Sequence, residues 1–133
     1  MSIQHGRKRF SFVPKYETLK EVMIDSNLAA FGDAFANLIH SIYASHKNKR
    51  PTGTRVDSRI LSEAIKKADL RYVMSSRVTR HKLADAAEAL LGYAWLQGLI
   101  SLNESVELLT KQEDAVDAFA NLLIEIKKRL ESH

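Results

Sequence analysis

Hydrophobic residues recur at intervals of three and four along almost the whole chain, which is the spacing of one face of an α-helix. The alternation of apolar and polar positions that marks a half-buried strand is nearly absent. Residues that interrupt regular structure are few, with two prolines and five glycines. The pattern therefore predicts an all-α fold built from several amphipathic helices.

Polar residues mark where the first four predicted helices begin and end. A short first helix is expected over residues 16–24, and Asp25 begins a polar segment that can cap a longer second helix. Asp57 is placed to cap a third helix. A long apolar helix follows over about residues 80–97, and Gly98 is placed to end it because glycine readily adopts the left-handed conformation after a helix.

Two further helices are predicted toward the end of the chain by the spacing of capping boxes. Ser101 is followed by Glu104, and Thr110 is followed by Glu113, so each hydroxyl residue has an acid three positions later. Apolar residues resume at helical spacing after each pair, which predicts that a helix starts at each of them.

The length and composition fit one domain preceded by an irregular, basic arm. The arm is expected over residues 1–14, and the single helical domain over residues 15–133. The chain has no cysteine, which excludes a disulfide scaffold and metal sites built from thiolates. It also has no long uncharged apolar run, so we expect neither a signal peptide nor a membrane span, and we expect a cytoplasmic location.

Charge is divided unevenly along the chain. Residues 1–82 contain 16 Lys and Arg against 7 Asp and Glu, whereas residues 83–133 contain 4 against 9. A basic first part suits a polyanionic partner such as RNA, although charge that only keeps the protein in solution is the alternative. The candidates for contact with RNA phosphates surround two basic loops: Arg50, Arg55, Arg59, Arg77, Arg80 and Lys82.

Three acidic residues on two of the predicted helices are the candidates for chemistry. Asp33 follows Gly32 on the second helix, and Asp85 and Glu88 are three residues apart on one face of the long apolar helix. Gly92 lies one turn beyond Glu88. Glycine inside a helix costs about 1 kcal/mol relative to alanine, so the two glycines predict a close helix crossing that offsets this cost.

A crossing of these two helices at their glycines would bring the three carboxylates together. Carboxylates that close cannot all remain ionised unless a cation lies between them. Oxygen ligands of this kind select Mg²⁺ or Mn²⁺, which activate water and stabilise charge on a phosphodiester. The alternative interpretation is that Asp33, Asp85 and Glu88 are solvated residues on amphipathic helices.

Three other polar residues lie at helical spacing from these acids. His81 precedes Asp85 by four residues and Glu88 by seven, so the three permit a transition-metal site with two or three ligands on one face of the long helix, although a surface pair is the simpler interpretation. Asn37 and His40 follow Asp33 by four and seven residues, so both are candidates to flank the same cleft, although we prefer to interpret them as the polar edge of the second helix.

Two motifs that occur in this order resemble those of the ribonuclease III family. The first is Phe-Gly-Asp-Ala at residues 31–34, and the second is Asp-Ala-Ala-Glu-Ala-Leu-Leu-Gly at residues 85–92. The likeness covers about residues 17–110, including the helix between the motifs. The chain is similar in particular to the short, mini-ribonuclease III branch, which lacks a double-stranded-RNA-binding domain, and we expect none here.

The resemblance implies an all-α fold of the ribonuclease III endonuclease-domain type and the activity of a metal-dependent endoribonuclease. By that resemblance Asp33, Asp85 and Glu88 match the family's catalytic acids, which hold Mg²⁺ or Mn²⁺. The implied substrate is structured or double-stranded RNA, and the implied assembly is a homodimer with a cleft across both subunits.

The chain departs from the family pattern at two positions. Most members have glutamates four and seven residues before the aspartate of the first motif, where this chain has Ala29 and Ser26. The departure supports a second hypothesis, in which a catalytically inactive protein keeps the fold and serves as an RNA-binding or assembly module. A helical protein-interaction module without any RNA role is a third.

Overall fold

The computed structural model describes Ile3 and residues 10–132, and all regular structure in this part of the chain is helical. The α-helices found there are α1 (Leu19–Met23), α2 (Ser26–Asn48), α3 (Ser58–Lys67), α4 (Arg80–Leu96), α5 (Leu102–Thr110) and α6 (Ala115–Glu131). A 3₁₀ turn, Arg71–Val73, lies between α3 and α4. The all-α prediction is confirmed, and none of the helices in the described residues is long and apolar enough to cross a membrane.

Several of the predicted helix ends form as the sequence indicates. The carboxylate of Asp25 accepts a hydrogen bond from the Leu28 N–H at 2.9 Å, which starts α2. Asp57 accepts one from the Arg59 N–H at 2.6 Å, which starts α3. Gly98 follows the end of α4 with a φ of 71°, in the left-handed region. Local hydrogen bonding and backbone freedom therefore set these boundaries.

The two predicted capping boxes have different outcomes. At the start of α5 the Glu104 N–H donates to the Ser101 hydroxyl at 3.0 Å, and the Ser101 N–H donates to the Glu104 carboxylate at 3.2 Å. The box predicted at Thr110 is wrong, because Thr110 is the last residue of α5 and its hydroxyl donates to a carbonyl one turn earlier. Asp114 caps α6 instead, with its carboxylate accepting from the Asp117 N–H at 3.1 Å.

The first helix is shorter than its apolar pattern predicts. A helix is expected over residues 16–24, whereas α1 starts at Leu19. Thr18 sets this start, because its hydroxyl accepts from the Glu21 N–H at 3.2 Å while the Glu21 carboxylate accepts from the Thr18 N–H at 3.0 Å. A complete capping box thus limits the helix more strongly than the spacing of apolar residues does.

Helix α4 lies at the centre of the fold. Twelve of its 17 residues are buried, and it packs against α1, α2, α3 and α6. A helix that is apolar nearly all round is stable only when other elements cover it. The neighbouring helices therefore bury their apolar faces against α4, while α5 packs on α2 and α6.

Part of the predicted N-terminal arm packs on the helical domain. Ile3 and Val13 are buried, and the Ile3 N–H donates to the Glu17 carbonyl at 2.7 Å. Residues 1, 2 and 4–9 of the arm lie outside the described residues. The division between arm and domain at residue 14 stays a prediction.

Helices α2 and α4 cross where a glycine of each faces the other helix. A Cβ atom added to Gly32 would overlap the carbonyl oxygen of Glu88 and lie 2.5 Å from its carbonyl carbon. A Cβ atom on Gly92 would lie 3.1 Å from the Gly32 Cα and 3.1 Å from a ring carbon of Phe31. The predicted close crossing at these glycines is confirmed, and at Gly32 it brings backbone against backbone.

Replacing Gly32 by alanine is expected to destabilise the protein strongly. The added methyl group overlaps backbone atoms of α4, so the two helices have to separate to admit it. The free energy of unfolding should fall by about 3 kcal/mol or more, even though alanine favours the helix more than glycine does. Urea unfolding followed by circular dichroism measures the change.

Gly53→Ala is the matched control, because a Cβ atom there meets nothing within 4 Å. Its free energy of unfolding should stay within about 0.5 kcal/mol of that of the unaltered protein. Equal stability of the Gly32→Ala and Gly53→Ala variants would show that the two helices do not touch at Gly32.

Candidate functional site

The crossing of α2 and α4 brings two carboxyl groups together. Asp33 follows Gly32 directly on α2, and Glu88 is the residue of α4 whose backbone contacts Gly32. A hydrogen bond joins the two carboxyl groups beside a cavity of about 340 Å³, which we call the acidic cleft. The acidic cleft is lined by Ser26, Ala29, Ala30, Asp33, Asp85 and Glu88.

Glu88 is a nearly buried carboxyl group, with 9% of its surface exposed. Burial raises its pKa to about 8, and the hydrogen bond to Asp33 and the charges of Asp33 and Asp85 act in the same direction. The positive charge of Arg55 acts against this shift without cancelling it. At neutral pH the Glu88 carboxyl therefore keeps its proton and donates it in the hydrogen bond to Asp33.

A proton shared by two carboxyl groups marks a place where a cation is stabilised. A divalent cation bound here would replace that proton, because a carboxyl group has to be deprotonated to act as a ligand. Carboxylate oxygens are also the ligands that Mg²⁺ and Mn²⁺ prefer. The pair formed by Asp33 and Glu88 thus fits such an ion both by charge and by ligand type.

Asp85, the third predicted metal ligand, lies at the cleft without completing a group of ligands. It lines the acidic cleft and acts on Glu88 through its charge. Among Ile3 and residues 10–132, however, no three His, Cys, Asp or Glu side chains are grouped so that they could hold a metal ion. The structure therefore brings Asp33 and Glu88 into contact and places Asp85 beside them.

The two departures from the ribonuclease III pattern also lie at the cleft. Ala29 and Ser26 both line it, in the positions where most members of that family have glutamates. Their side chains end in a methyl group and a hydroxyl group, so this wall of the cleft has no carboxylate. The cleft is correspondingly less acidic than the family pattern leads one to expect.

Two side chains from outside the sequence motifs reach Asp33. The Asn37 amide donates to Oδ1 of Asp33 at 3.4 Å, and its own oxygen accepts from the Val56 N–H at 2.8 Å. Nη2 of Arg55 lies 3.6 Å from Oδ2 of Asp33. Asn37 is therefore more than the polar edge of α2. Its spacing of four from Asp33 is the sequence feature that makes it a candidate to flank the cleft.

The loop between α2 and α3 runs along α2 in a regular register. The Ser45 hydroxyl accepts from the Thr52 N–H at 2.8 Å, and the Ser41 hydroxyl accepts from the Thr54 N–H at 3.0 Å. The bond between Asn37 and Val56 is the third contact of this series. From one contact to the next, the residue on the helix changes by four positions and the residue on the loop by two. Four helical residues rise about 6 Å and two extended residues about 6.6 Å, so the two spacings match.

Two of the six basic residues predicted to contact RNA lie next to the acidic cleft. Arg55 faces Asp33. Lys82 lines a cavity of about 220 Å³ that shares part of its wall, including Asp85, with the cleft. The remaining four are exposed to solvent: Arg50, Arg59, Arg77 and Arg80.

The two histidines at helical spacing from the acids have other surroundings. His81 is exposed, and in the described residues it forms no three-ligand metal-binding group with Asp85 and Glu88. His40 packs against the rings of Tyr43 and Phe119, with centroid distances of 6.2 and 5.9 Å, and burial lowers its pKa. His40 thus belongs to the packing between α2 and α6.

The buried carboxyl group of Glu88 makes stability depend on pH when no metal ion is added. Its pKa is raised from 4.5 to about 8 in the folded protein. Between these values the folded protein holds a proton that the unfolded chain has released, so the free energy of unfolding falls as the pH rises from 4.5 to 8. The fall should amount to a few kcal/mol, since one pKa unit corresponds to about 1.4 kcal/mol.

Urea unfolding in EDTA at pH 5, 6, 7 and 8 measures this fall. Glu88→Gln is the matched variant, because glutamine stays neutral while the other titrating groups contribute equally to both proteins. The difference in unfolding free energy between the two proteins should change steadily over this range. A constant difference would mean that the Glu88 carboxyl group does not titrate there.

Comparison with known proteins places the chain in a family. The family model Ribonuclease III matches residues 26–132, which begin with α2, end after α6 and include every residue that lines the acidic cleft. None of the curated proteins compared with the chain matches it. The family match covers most of the sequence and agrees with the all-α fold, and the chain therefore belongs to the ribonuclease III family.

Proposed function

We propose that the protein is a metal-dependent endoribonuclease that cleaves structured or double-stranded RNA. Its family is one of RNA-processing nucleases, which generally use divalent metal ions. The observation that carries the proposal is the pair of carboxyl groups, Asp33 and Glu88, held in contact at the helix crossing. We propose the cytoplasm as the location, because its reducing conditions suit a chain without cysteine.

The acidic residues of the cleft are proposed to bind Mg²⁺ or Mn²⁺. Asp33 and Glu88 are the proposed ligands, and Asp85 adds negative charge beside them and is a third proposed ligand. A metal ion held by these residues would activate a water molecule and stabilise charge on the phosphodiester. Glu88 would release its proton to the solvent on becoming a ligand, and Asn37 keeps the Asp33 carboxylate oriented through the hydrogen bond to Oδ1.

The basic residues around the cleft are proposed to bind the RNA backbone. Arg55 and Lys82 lie next to the acidic cleft, on the α2–α3 loop and in the first turn of α4. Contacts to phosphates do not depend on the bases, and side chains cannot read the narrow major groove of A-form RNA. We therefore expect the protein to recognise the shape of the RNA duplex, and its affinity for RNA to fall as salt is added.

A catalytically inactive RNA-binding or assembly module is the second candidate. It is favoured by the absence of a three-ligand group from the described residues and by Ala29 and Ser26 at the cleft wall. This candidate has the same fold and the same basic surface, and it differs from the nuclease only in that it does not cleave RNA. The presence or absence of metal-dependent cleavage therefore separates the two.

We also propose that the protein forms a homodimer through an apolar surface on α2, α4 and the start of α5. A cavity of about 240 Å³ on this surface is lined by Phe31, Ala34, Phe35, Leu38, Trp95 and Leu102. Leu38 is 49% exposed, and Phe31 and Phe35 both pack on the ring of Trp95, so the apolar surface is continuous. A continuous exposed apolar surface of this kind favours association with another protein surface.

The unaltered protein is expected to cut a labelled RNA duplex with Mn²⁺ or Mg²⁺ and to leave it intact in EDTA. Asp33→Asn and Glu88→Gln should each lower the rate at least about a hundredfold, because each removes a charged ligand whose effect on the reaction is worth several kcal/mol. Single-turnover cleavage on denaturing gels measures the rate.

Glu107→Gln is the control for this assay, since Glu107 is an exposed acid of α5 that does not line the cleft. It should cut at the rate of the unaltered protein. An unaltered protein that is folded and binds the duplex, yet never cuts it, would exclude the nuclease and favour the binding module.

A charged residue on the apolar surface is expected to separate the dimer. Leu38→Lys places an ammonium group where the second copy is proposed to pack, so dimerisation should weaken at least tenfold, a change of about 1.4 kcal/mol. Ile124→Lys, at another exposed apolar residue, is the control and should leave the dimer unchanged. Sedimentation velocity measures both, and an unaltered protein that is monomeric at high concentration would rule out the homodimer.

A further inference from the structure

Asp33 has a partner at each of its two carboxylate oxygens. The Asn37 amide reaches Oδ1 at 3.4 Å, and Nη2 of Arg55 lies 3.6 Å from Oδ2. The hydrogen bond with Glu88 adds a third contact. A metal ion that binds Asp33 therefore competes with these partners for the carboxylate oxygens.

Arg55 is the partner that yields most easily. Its side chain is 80% exposed, and its distance to Asp33 exceeds the usual length of an N–H···O hydrogen bond. Ion pairs this exposed contribute little to stability. Asn37 is more firmly held, because it is half-buried and its oxygen also accepts from the Val56 N–H at 2.8 Å.

The backbone of Arg55 stays beside the cleft even when its side chain moves. The residue before it, Thr54, is bound to the Ser41 hydroxyl through both its N–H and its carbonyl, at 3.0 and 2.9 Å. The residue after it is Val56, which is bound to Asn37. The guanidinium can therefore leave Asp33 while remaining at the mouth of the cleft. A guanidinium stays charged and binds the oxygens of a phosphate in pairs.

We propose that Arg55 couples the binding of the metal ion to the binding of RNA. Its guanidinium neutralises Asp33 until a metal ion takes that place, and it then transfers to a phosphate of the RNA. This inference rests on the proposed nuclease function. The metal ion and the RNA both favour the position of Arg55 away from Asp33. Binding of the metal ion therefore raises the affinity for RNA, and binding of RNA raises the affinity for the metal ion by the same factor.

The composition of the cleft gives this coupling a role. With Ala29 and Ser26 in place of acids, few negative charges attract a divalent ion, and Arg55 offsets one of them. Once the Arg55 guanidinium binds a phosphate, the negative charge of Asp33 becomes available to the metal ion. The metal ion then binds more tightly in the complex with RNA than in the free protein.

Titration of the RNA-free protein with Mn²⁺, followed by the electron paramagnetic resonance signal of the free ion, tests the first half of the proposal. Arg55→Ala removes the competing cation from Asp33, so the dissociation constant for Mn²⁺ should fall about two- to fivefold. Arg59→Ala is the matched control, because it removes the same charge from an exposed position four residues away. Its dissociation constant should stay within about 1.5-fold of the unaltered value.

Cleavage of an RNA duplex at saturating Mn²⁺ tests the second half. The kcat/KM of Arg55→Ala should fall about tenfold or more, because the variant loses a charged contact to an RNA phosphate. This fall should accompany the tighter Mn²⁺ binding of the same variant. An arginine that served only to bind RNA would lower kcat/KM and leave the Mn²⁺ affinity unchanged. The exposure of Arg55 means that the variant should fold, which circular dichroism verifies.

The outcomes distinguish failure of the coupling from failure of the nuclease proposal. Equal Mn²⁺ affinity in the unaltered protein and Arg55→Ala would overturn the coupling and leave the nuclease standing. Tighter Mn²⁺ binding with an unchanged kcat/KM would refute the transfer of Arg55 to RNA. If the unaltered protein bound no Mn²⁺ either alone or in the presence of an RNA duplex, the proposed function itself would fall, and the coupling with it.

Discussion

The contact between the backbones of α2 and α4 at Gly32 is the constraint on which the acidic cleft depends. Because Gly32 has no side chain, the two helices approach until their peptide groups touch, and the carboxyl groups of Asp33 and Glu88 share one small space. This approach buries Glu88, and burial is the largest cause of its raised pKa. A glycine without any functional group thus governs the protonation of the Glu88 carboxyl group.

The features that could be predicted from the sequence are those with a regular period or a close local partner. Apolar spacing predicts the helices, and Gly32 and Gly92 within apolar helices predict the crossing and hence the meeting of Asp33 with Glu88. The start of α6 is different, since Thr110 and Asp114 both offer a cap within one turn. Only the continuation of α5 through Thr110 decides between them, and that depends on packing rather than on local sequence.

The surroundings of Asp33 that come from the α2–α3 loop lie beyond such reasoning. An extended loop has no helical period, and its small polar and basic residues equally suit a loop that touches nothing. Its path depends on the hydroxyl groups of Ser41 and Ser45, which are themselves unremarkable in a helix. Arg55 is therefore distinguished from the other basic residues only in three dimensions, whereas the spacing of Asn37 from Asp33 can be read from the sequence.

The register of that loop on α2 also limits how its length can change in evolution. Successive residues of an extended segment face opposite sides. Inserting or deleting one residue between Thr52 and Val56 would therefore turn the loop residues that face α2 away from it, and turn their neighbours toward it. Substitutions leave this alternation intact. Related chains should therefore differ in the composition of the loop more freely than in its length, and an alignment gap here would mark a chain whose cleft has lost the guanidinium of Arg55.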